Sequence, residues 1–314
     1  MPLDPQAQAM LHAMSAMPPI DWSRITAPEL RAAMASAGFA PGDAVASIED
    51  RRIPGPAGDI GLRIYRPQAN SESALPVTLF FHGGGFVLCD LDSHDNLCRG
   101  LARRAETIVV SVDYRRAPET KFPGAVEDAC AALDWVRAQA ASFVGDATRL
   151  AVAGDSAGGN LAAAAAQHAR DEGLALRHQL LLYPVTDCSM QTASYREFAD
   201  GYYLSAAMMR WFLAQYLPDA QSADDPRASP LRSRELGELA PATIFTAGYD
   251  PLRDEGEAYA QALAAAGVTT TLRRWPGQIH GFISMLGMID EADHALWAAA
   301  DALRAAFAHH AARA

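Results

Sequence analysis

The chain is short of cysteine, with four in 314 residues (Cys89, Cys98, Cys130 and Cys188) and no C-x-x-C pair among them. This spacing offers neither a zinc site nor a disulfide framework and leaves small buried thiols as the expectation. A basic run is also missing. Acidic side chains outnumber basic ones 37 to 26, a formal net charge of −11, and no aromatics interleave with a basic face, so nucleic acid is not an expected partner. Nothing approaches the roughly 18 consecutive apolar residues that a membrane span needs. Met1 to Met17 has neither a cationic n-region nor an unbroken apolar h-region. A soluble, cytoplasmic protein is therefore expected, with no membrane span.

What is present is an ordinary globular composition, 50% hydrophobic, long enough for one large α/β domain with or without an appended cap. Two helices are expected first, Asp4 to Met17 and Ala27 to Gly38, separated by Pro18-Pro19. Ala44 to Arg52 and Asp59 to Arg66 read as an antiparallel hairpin turning at Pro54-Gly55-Pro56. After a polar loop at Asn70 to Ser73, strands at Val77 to Phe81, Thr107 to Tyr114, from Leu150, Gln179 to Val185, Ala242 to Ala247 and Val268 to Trp275 alternate with helical segments. Those helices are placed at Ser93 to Ala105 with Ser93 as N-cap, Val126 to Ala138, Asn160 to Arg170, Leu252 to Ala266 and Asp290 to Phe307. Near-continuous apolar strands between helices predict βαβ units and a mostly parallel sheet covered on both faces. Thr186 to Asp225 breaks the alternation. It is rich in Tyr, Met, Trp and Phe, and its place between two sheet strands predicts an inserted cap whose inner face lines an apolar pocket.

Two patterns carry chemistry. Gly154-Asp155-Ser156-Ala157-Gly158-Gly159 lies between a short apolar strand and an alanine-rich helix, the setting of a nucleophile elbow. Side chains two positions either side of the serine would crowd so tight a turn, so glycines stand there. His82-Gly83-Gly84-Gly85-Phe86 follows a buried strand directly. A backbone free of Cβ atoms can approach a ligand closely and aim N–H groups at developing negative charge, as in the glycine motif that accompanies the elbow in lipases and esterases.

An acid and a base complete the set. Functional groups of a parallel sheet collect beyond the carboxyl ends of its strands, where Ser156, Asp250 and His280 all fall. Their order, Ser then Asp then His, is that of the α/β-hydrolase arrangement. His82 belongs to the glycine motif, where an orienting role fits better than base work, His178 starts a strand, and His94 is near a strand end without an assigned role. Asp254, a helical turn past Asp250, is the competitor for the acid and is expected on the helix surface.

Together with Tyr114-Arg115-x-Ala117-Pro118-Glu119, Asp250-Pro251-Leu252-Arg253-Asp254-Glu255 and Ile279-His280-Gly281-Phe282, these motifs resemble the hormone-sensitive lipase family of bacterial carboxylesterases over roughly residues 75 to 285. Arg116 departs from the family, which usually has an apolar residue there. The resemblance implies an α/β-hydrolase fold with an eight-stranded, mostly parallel sheet and a helical cap. Cap helices then occupy 1–45, the catalytic core 46–185 and 226–314, and the cap insertion 186–225. It implies a triad of Ser156, Asp250 and His280, oxyanion donors on the backbone N–H groups of Gly84, Gly85 and Ala157, and support from His82, Gly83 and Asp155. The reaction expected is hydrolysis of short- to medium-chain carboxylic esters through an acyl-enzyme, on a small-molecule ester, with no metal and no cofactor. A non-catalytic small-molecule receptor on the same fold and an amidase or deacetylase using the same triad are the alternatives. Monomer or homodimer stays open.

Overall fold

The predicted alternation of buried strands and helices is realised in a computed structural model that describes residues 1–37, 41–68 and 73–308. Gly38 and most of the polar loop at Asn70 to Ser73 lie outside the described residues. The strands are β1 (Ser47–Gly55), β2 (Gly58–Arg66), β3 (Leu75–Phe81), β4 (Ile108–Asp113), β5 (Gly145–Asp155), β6 (His178–Leu182), β7 (Ala242–Tyr249) and β8 (Thr270–Ile279). They form one eight-stranded sheet in the order β1-β2-β4-β3-β5-β6-β7-β8. The β1–β2 and β2–β4 pairs are antiparallel, and every pair from β4 to β8 is parallel.

Helices cover both faces. The described α-helices are α1 (Pro5–Ser15), α2 (Ala27–Ala37), α3 (Asp95–Ala105), α4 (Gly124–Gln139), α5 (Ala157–Asp171), α6 (Ser194–Glu197), α7 (Ala206–Tyr216), α8 (Arg253–Ala265) and α9 (Asp290–Ala308). Side chains alternate across a strand. Val77, Leu79 and Phe81 of β3 therefore join one core with residues of α4, α5 and α8, while Phe80 joins a second core with residues of α3 and α9. Both sets are buried, which is why the strand reads as an unbroken apolar run. Fully burying a side chain such as Phe80 stabilises the fold by roughly 1.5–3 kcal/mol. The alanine run of α5 is buried almost throughout, its small side chains letting the helix lie close to β5 and β6.

The two regions outside the alternation sit against the carboxyl ends of the strands. Asp4 caps α1 by accepting from the N–H groups of Gln6 and Ala7, with Pro5 at the first helical position. From α2, the Arg31 guanidinium donates to the carbonyls of Val87 and Ala117 and pairs with Glu119. Trp22 meets Trp211 of α7 with ring centroids 5.8 Å apart, so the N-terminal segment touches the 186–225 insertion. Ser205 caps α7 through the N–H of Met208. Among the described residues no helix is long and apolar enough to cross a membrane.

Several expected boundaries shift. Ser93 is not an N-cap: α3 begins at Asp95 without a side-chain cap, because the Ser93 hydroxyl is engaged with Asp90 and the His94 ring. The hairpin runs through Pro54 and Gly55 to turn at Pro56-Ala57, since Pro54 on the edge strand β1 lacks only an N–H that need not pair. The final strand does not stop at Trp275. It continues through Pro276 and Gly277 to Ile279, accommodated by a register irregularity opposite Ala247–Tyr249, and delivers His280 directly from a strand end. The strand after the elbow helix is shorter than predicted, ending at Leu182, and β5 starts five residues before Leu150, at Gly145.

Candidate active site

Ser156 sits between β5 and α5 with φ 55° and ψ −117°, a backbone conformation that a side-chain-bearing residue rarely adopts. It is held there by its own backbone. Its N–H donates to Leu182 O at 2.8 Å, and its carbonyl accepts from Val185 N–H at 3.1 Å and Asn160 N–H at 3.2 Å. The flanking glycines are obligatory for packing. A Cβ on Gly154 would run into the Gly158 carbonyl, and one on Gly158 into the Phe81 carbonyl, both backbone atoms that cannot yield.

β7 and β8 bring the partners. The Ser156 Oγ lies 2.9 Å from His280 Nε2, and His280 Nδ1 lies 2.7 Å from Asp250 Oδ2. Asp250 is fully buried, and its other oxygen accepts from Leu252 N–H at 2.9 Å. Because a carboxylate only accepts, His280 Nδ1 carries the proton and Nε2 faces the serine hydroxyl with a lone pair. Asp254, the competing acid, does not approach His280. Its oxygens accept from Ser194 N–H and from Arg253, as expected of a helix-surface position.

The glycine loop is shaped at each position. Gly84 and Gly85 have φ of +105° and +61°, and Cβ atoms there would strike Leu88 and the Phe212 ring, while one on Gly83 would strike the Asp155 carboxylate. Gly83 N–H donates to Asp155 Oδ1 at 2.8 Å. The Gly84 carbonyl accepts from Val87 and Leu88 N–H groups, whereas the Gly84 and Gly85 N–H groups have no acceptor among the described residues. Ala157 is the first residue of α5, where an N–H has no preceding turn to bond. The structure thus brings Ser156, His280 and Asp250 into one relay and holds the glycine loop against the elbow through Asp155.

Electrostatics under the loop follow from burial. His82 is completely buried and its pKa falls to about 3, chiefly through loss of solvation, so the ring is neutral. Its Nδ1 donates to Gly83 O at 2.8 Å, and the ring stacks on Tyr114 at 4.3 Å. Burial pushes the Asp155 carboxyl up, but the His94 and His82 rings and the Gly83 N–H outweigh it, and the net direction is down. Burial raises the nearby Cys89 thiol to about 12, so it stays protonated.

Sequence reading left two contributors unassigned. His94 Nε2 lies 3.1 Å from Asp155 Oδ1, and Phe212 packs its ring over Gly85. His94 stands beside a strand end in the sequence, but nothing in its local pattern points at Asp155, 61 positions away. Phe212 is one of many aromatics in the insertion, and spacing alone does not single it out.

A family model for the α/β-hydrolase fold matches residues 78–284. The carboxylic ester hydrolase LipN of Mycobacterium tuberculosis is 49% identical over 245 residues, 76% of this chain and 65% of that protein, a little under two thirds of its length. An ethyl acetate hydrolase of Pseudomonas putida is 43% identical over 246 residues, 77% of each protein. The crystal structure of a thermostable esterase from Pseudomonas putida superposes with a TM-score of 0.92 at 39% identity, over 98% of each chain.

Proposed function

The chain belongs to the α/β-hydrolase family, in its hormone-sensitive-lipase-like branch, and is a carboxylic-ester hydrolase; from that premise we propose that it works as a serine esterase through an acyl-enzyme. One observation carries this reading: the continuous relay from Ser156 Oγ through His280 to a buried Asp250, at 2.9 and 2.7 Å.

His280 Nε2 takes the serine proton as Oγ attacks the ester carbonyl carbon, and Asp250 holds the ring in the required tautomer and stabilises its positive form. The carbonyl oxygen, now negative, is met by the N–H groups of Gly84, Gly85 and Ala157. Each such donor is typically worth on the order of 10²–10³ in rate. When the tetrahedral adduct collapses, His280 gives its proton to the departing alkoxide. Water then enters, loses a proton to His280, attacks the acyl carbon, and the carboxylic acid leaves as Ser156 recovers its proton.

Residues 1–45 and 186–225 act as a cap in this reading, supported by their seating at the carboxyl ends of the strands and by the Trp22–Trp211 contact. The preferred substrates are esters of short to medium acyl chains, supported by the Phe212 ring pressed against Gly85. A cytoplasmic setting fits the four free thiols.

Replacing Ser156 by Ala is expected to lower turnover of p-nitrophenyl butyrate by about 10⁶-fold, the scale of triad deletions in serine hydrolases. Near-normal hydrolysis would overturn the assignment. A series of p-nitrophenyl esters from acetate to laurate tests the chain-length preference, and highest kcat/KM on laurate would refute it.

A further inference from the structure

Beneath the glycine loop lies a polar assembly that the ester chemistry does not consume. His82, Tyr114, Asp155 and His94 are each at least 95% buried, with exposures of 0, 1, 4 and 5%. Buried polar groups of this kind are costly unless they are hydrogen-bonded, so their pairing has to be followed atom by atom.

The pairing fixes the loop one peptide plane at a time. In the His82–Gly83 plane, the carbonyl accepts from Tyr114 OH at 2.8 Å and the N–H donates to Asp155. In the Gly83–Gly84 plane, the carbonyl accepts from His82 Nδ1. In the Gly84–Gly85 plane, it accepts from Val87 and Leu88 N–H groups. A trans peptide points its C=O and N–H in opposite directions. Securing the second and third carbonyls therefore aims the Gly84 and Gly85 N–H groups away from the loop's own partners.

The first plane depends on where the Asp155 carboxylate stands. Its Oδ1 accepts a hydrogen bond from Gly83 N–H at 2.8 Å and lies 3.1 Å from His94 Nε2. His94 is braced in turn by its Nδ1, 3.0 Å from the Ser93 hydroxyl, which is bonded to the Asp90 backbone. The strut therefore runs from the entry to α3, through His94 and Asp155, into the residue that precedes the donors.

We propose that His94 is a positioning residue: through its Nε2–H it holds the Asp155 carboxylate against Gly83, and so sets the aim of the Gly84 and Gly85 N–H groups at the developing oxyanion. This rests on the reading of Ser156, His280 and Asp250 as the triad. Loss of the Nε2 donor leaves a buried carboxylate with one partner fewer, free to turn from Gly83. The two donors then drift from a position that matters most when the substrate oxygen carries charge, so kcat suffers and ground-state binding does not.

Two polar replacements separate this role from a structural one. Gln places its side-chain N–H near the position of His Nε2, and Asn near that of Nδ1. His94→Gln is expected to stay within about threefold of wild-type kcat, and His94→Asn to lose about 10- to 100-fold, a fraction of what two oxyanion donors are worth. KM for p-nitrophenyl butyrate stays constant, and the affinity of a trifluoromethyl ketone, which mimics the tetrahedral adduct, weakens by the same factor as kcat. Equal damage in both variants, a loss confined to KM, or unaltered ketone affinity would overturn the proposal. Should His94→Asn fail to fold, Asp155→Asn must show the same kcat loss at constant KM, and wild-type turnover in it would be equally fatal. Activity that survives Ser156→Ala sinks the triad reading, whereas an inactive Ser156→Ala beside a fully active His94→Asn sinks only this one.

Discussion

Asp250→Asn tests the relay with the least change of shape. In the native fold two N–H donors converge on this side chain, Leu252 N–H at 2.9 Å on Oδ1 and His280 Nδ1–H at 2.7 Å on Oδ2, and the carboxylate can accept both. An amide has one accepting oxygen and one donating NH₂. If its oxygen faces Leu252, the NH₂ faces His280 and forces the proton onto Nε2, where it opposes the Ser156 hydroxyl and abolishes base catalysis. If the oxygen faces His280, the NH₂ meets the Leu252 N–H in a site with no solvent, at a cost of about 1–3 kcal/mol for the unpaired group. The first arrangement satisfies every buried donor, so it prevails. Losing the tautomer costs about 10⁴ in kcat in a serine-protease triad, or about 5 kcal/mol at 1.36 kcal/mol per tenfold. The assay is kcat on p-nitrophenyl butyrate, normalised to Ser156 titrated with a phosphonofluoridate, with Asp254→Asn as control. Asp254 bonds Ser194 and Arg253 instead, and its variant is expected to keep kcat within about threefold, since it removes no contact to the reacting atoms. A loss under about tenfold in Asp250→Asn would refute the reasoning, because the tautomer would then not depend on this carboxylate.

Two further outcomes concern the fold. His178 is buried and its pKa drops to about 4, because burial disfavours the charged ring. Between that value and the ordinary 6.5 the unfolded chain binds a proton and the folded chain does not, so stability is intact above about pH 6.5 and falls as acid is added, by roughly 2–3 kcal/mol by pH 4. His178→Gln, unfolded in urea across that range, should show a shallower decline; an unchanged slope would place the proton uptake elsewhere. Glu255 is fully buried, and burial raises its pKa well above the usual range against the opposing pull of the Thr186 and Asp187 N–H groups that bond Oε1, which favours the neutral form of the side chain. Glu255→Gln should therefore unfold within about 1 kcal/mol of wild type, while Glu255→Ala, which orphans two N–H groups, loses about 2–4 kcal/mol. A Gln variant as unstable as the Ala variant would mean that the carboxyl is ionised.

Much of the architecture was legible because its signals are local. An apolar run in β3 must be covered on both faces, and the glycines at 154 and 158 fit a turn whose neighbours are backbone. Element ends were less legible. Pro276 and Gly277 look like a loop until β7 pairs past them, and Ser93 looks like a cap until Asp90 and His94 claim its hydroxyl. Both outcomes depend on groups that the local pattern does not contain.

The same division separates what the sequence by itself determined from what only the tertiary structure decided. Residue type and strand-end position nominate Ser156, Asp250 and His280, because the chemistry needs a nucleophile, a base and an acid, and a parallel sheet gathers its loops at one edge. Distance is another matter. Whether Asp250 or Asp254 meets His280 depends on how α8 leaves β7, and only packing turns one carboxylate inward and the other toward Ser194. The peptide plane that precedes Gly84 is likewise held by Tyr114 and Asp155, with His94 3.1 Å from Asp155, groups drawn from three separate stretches of chain. Hydrogen bonds are directional and short in reach, so their partners become fixed only when the whole sheet has brought those stretches together.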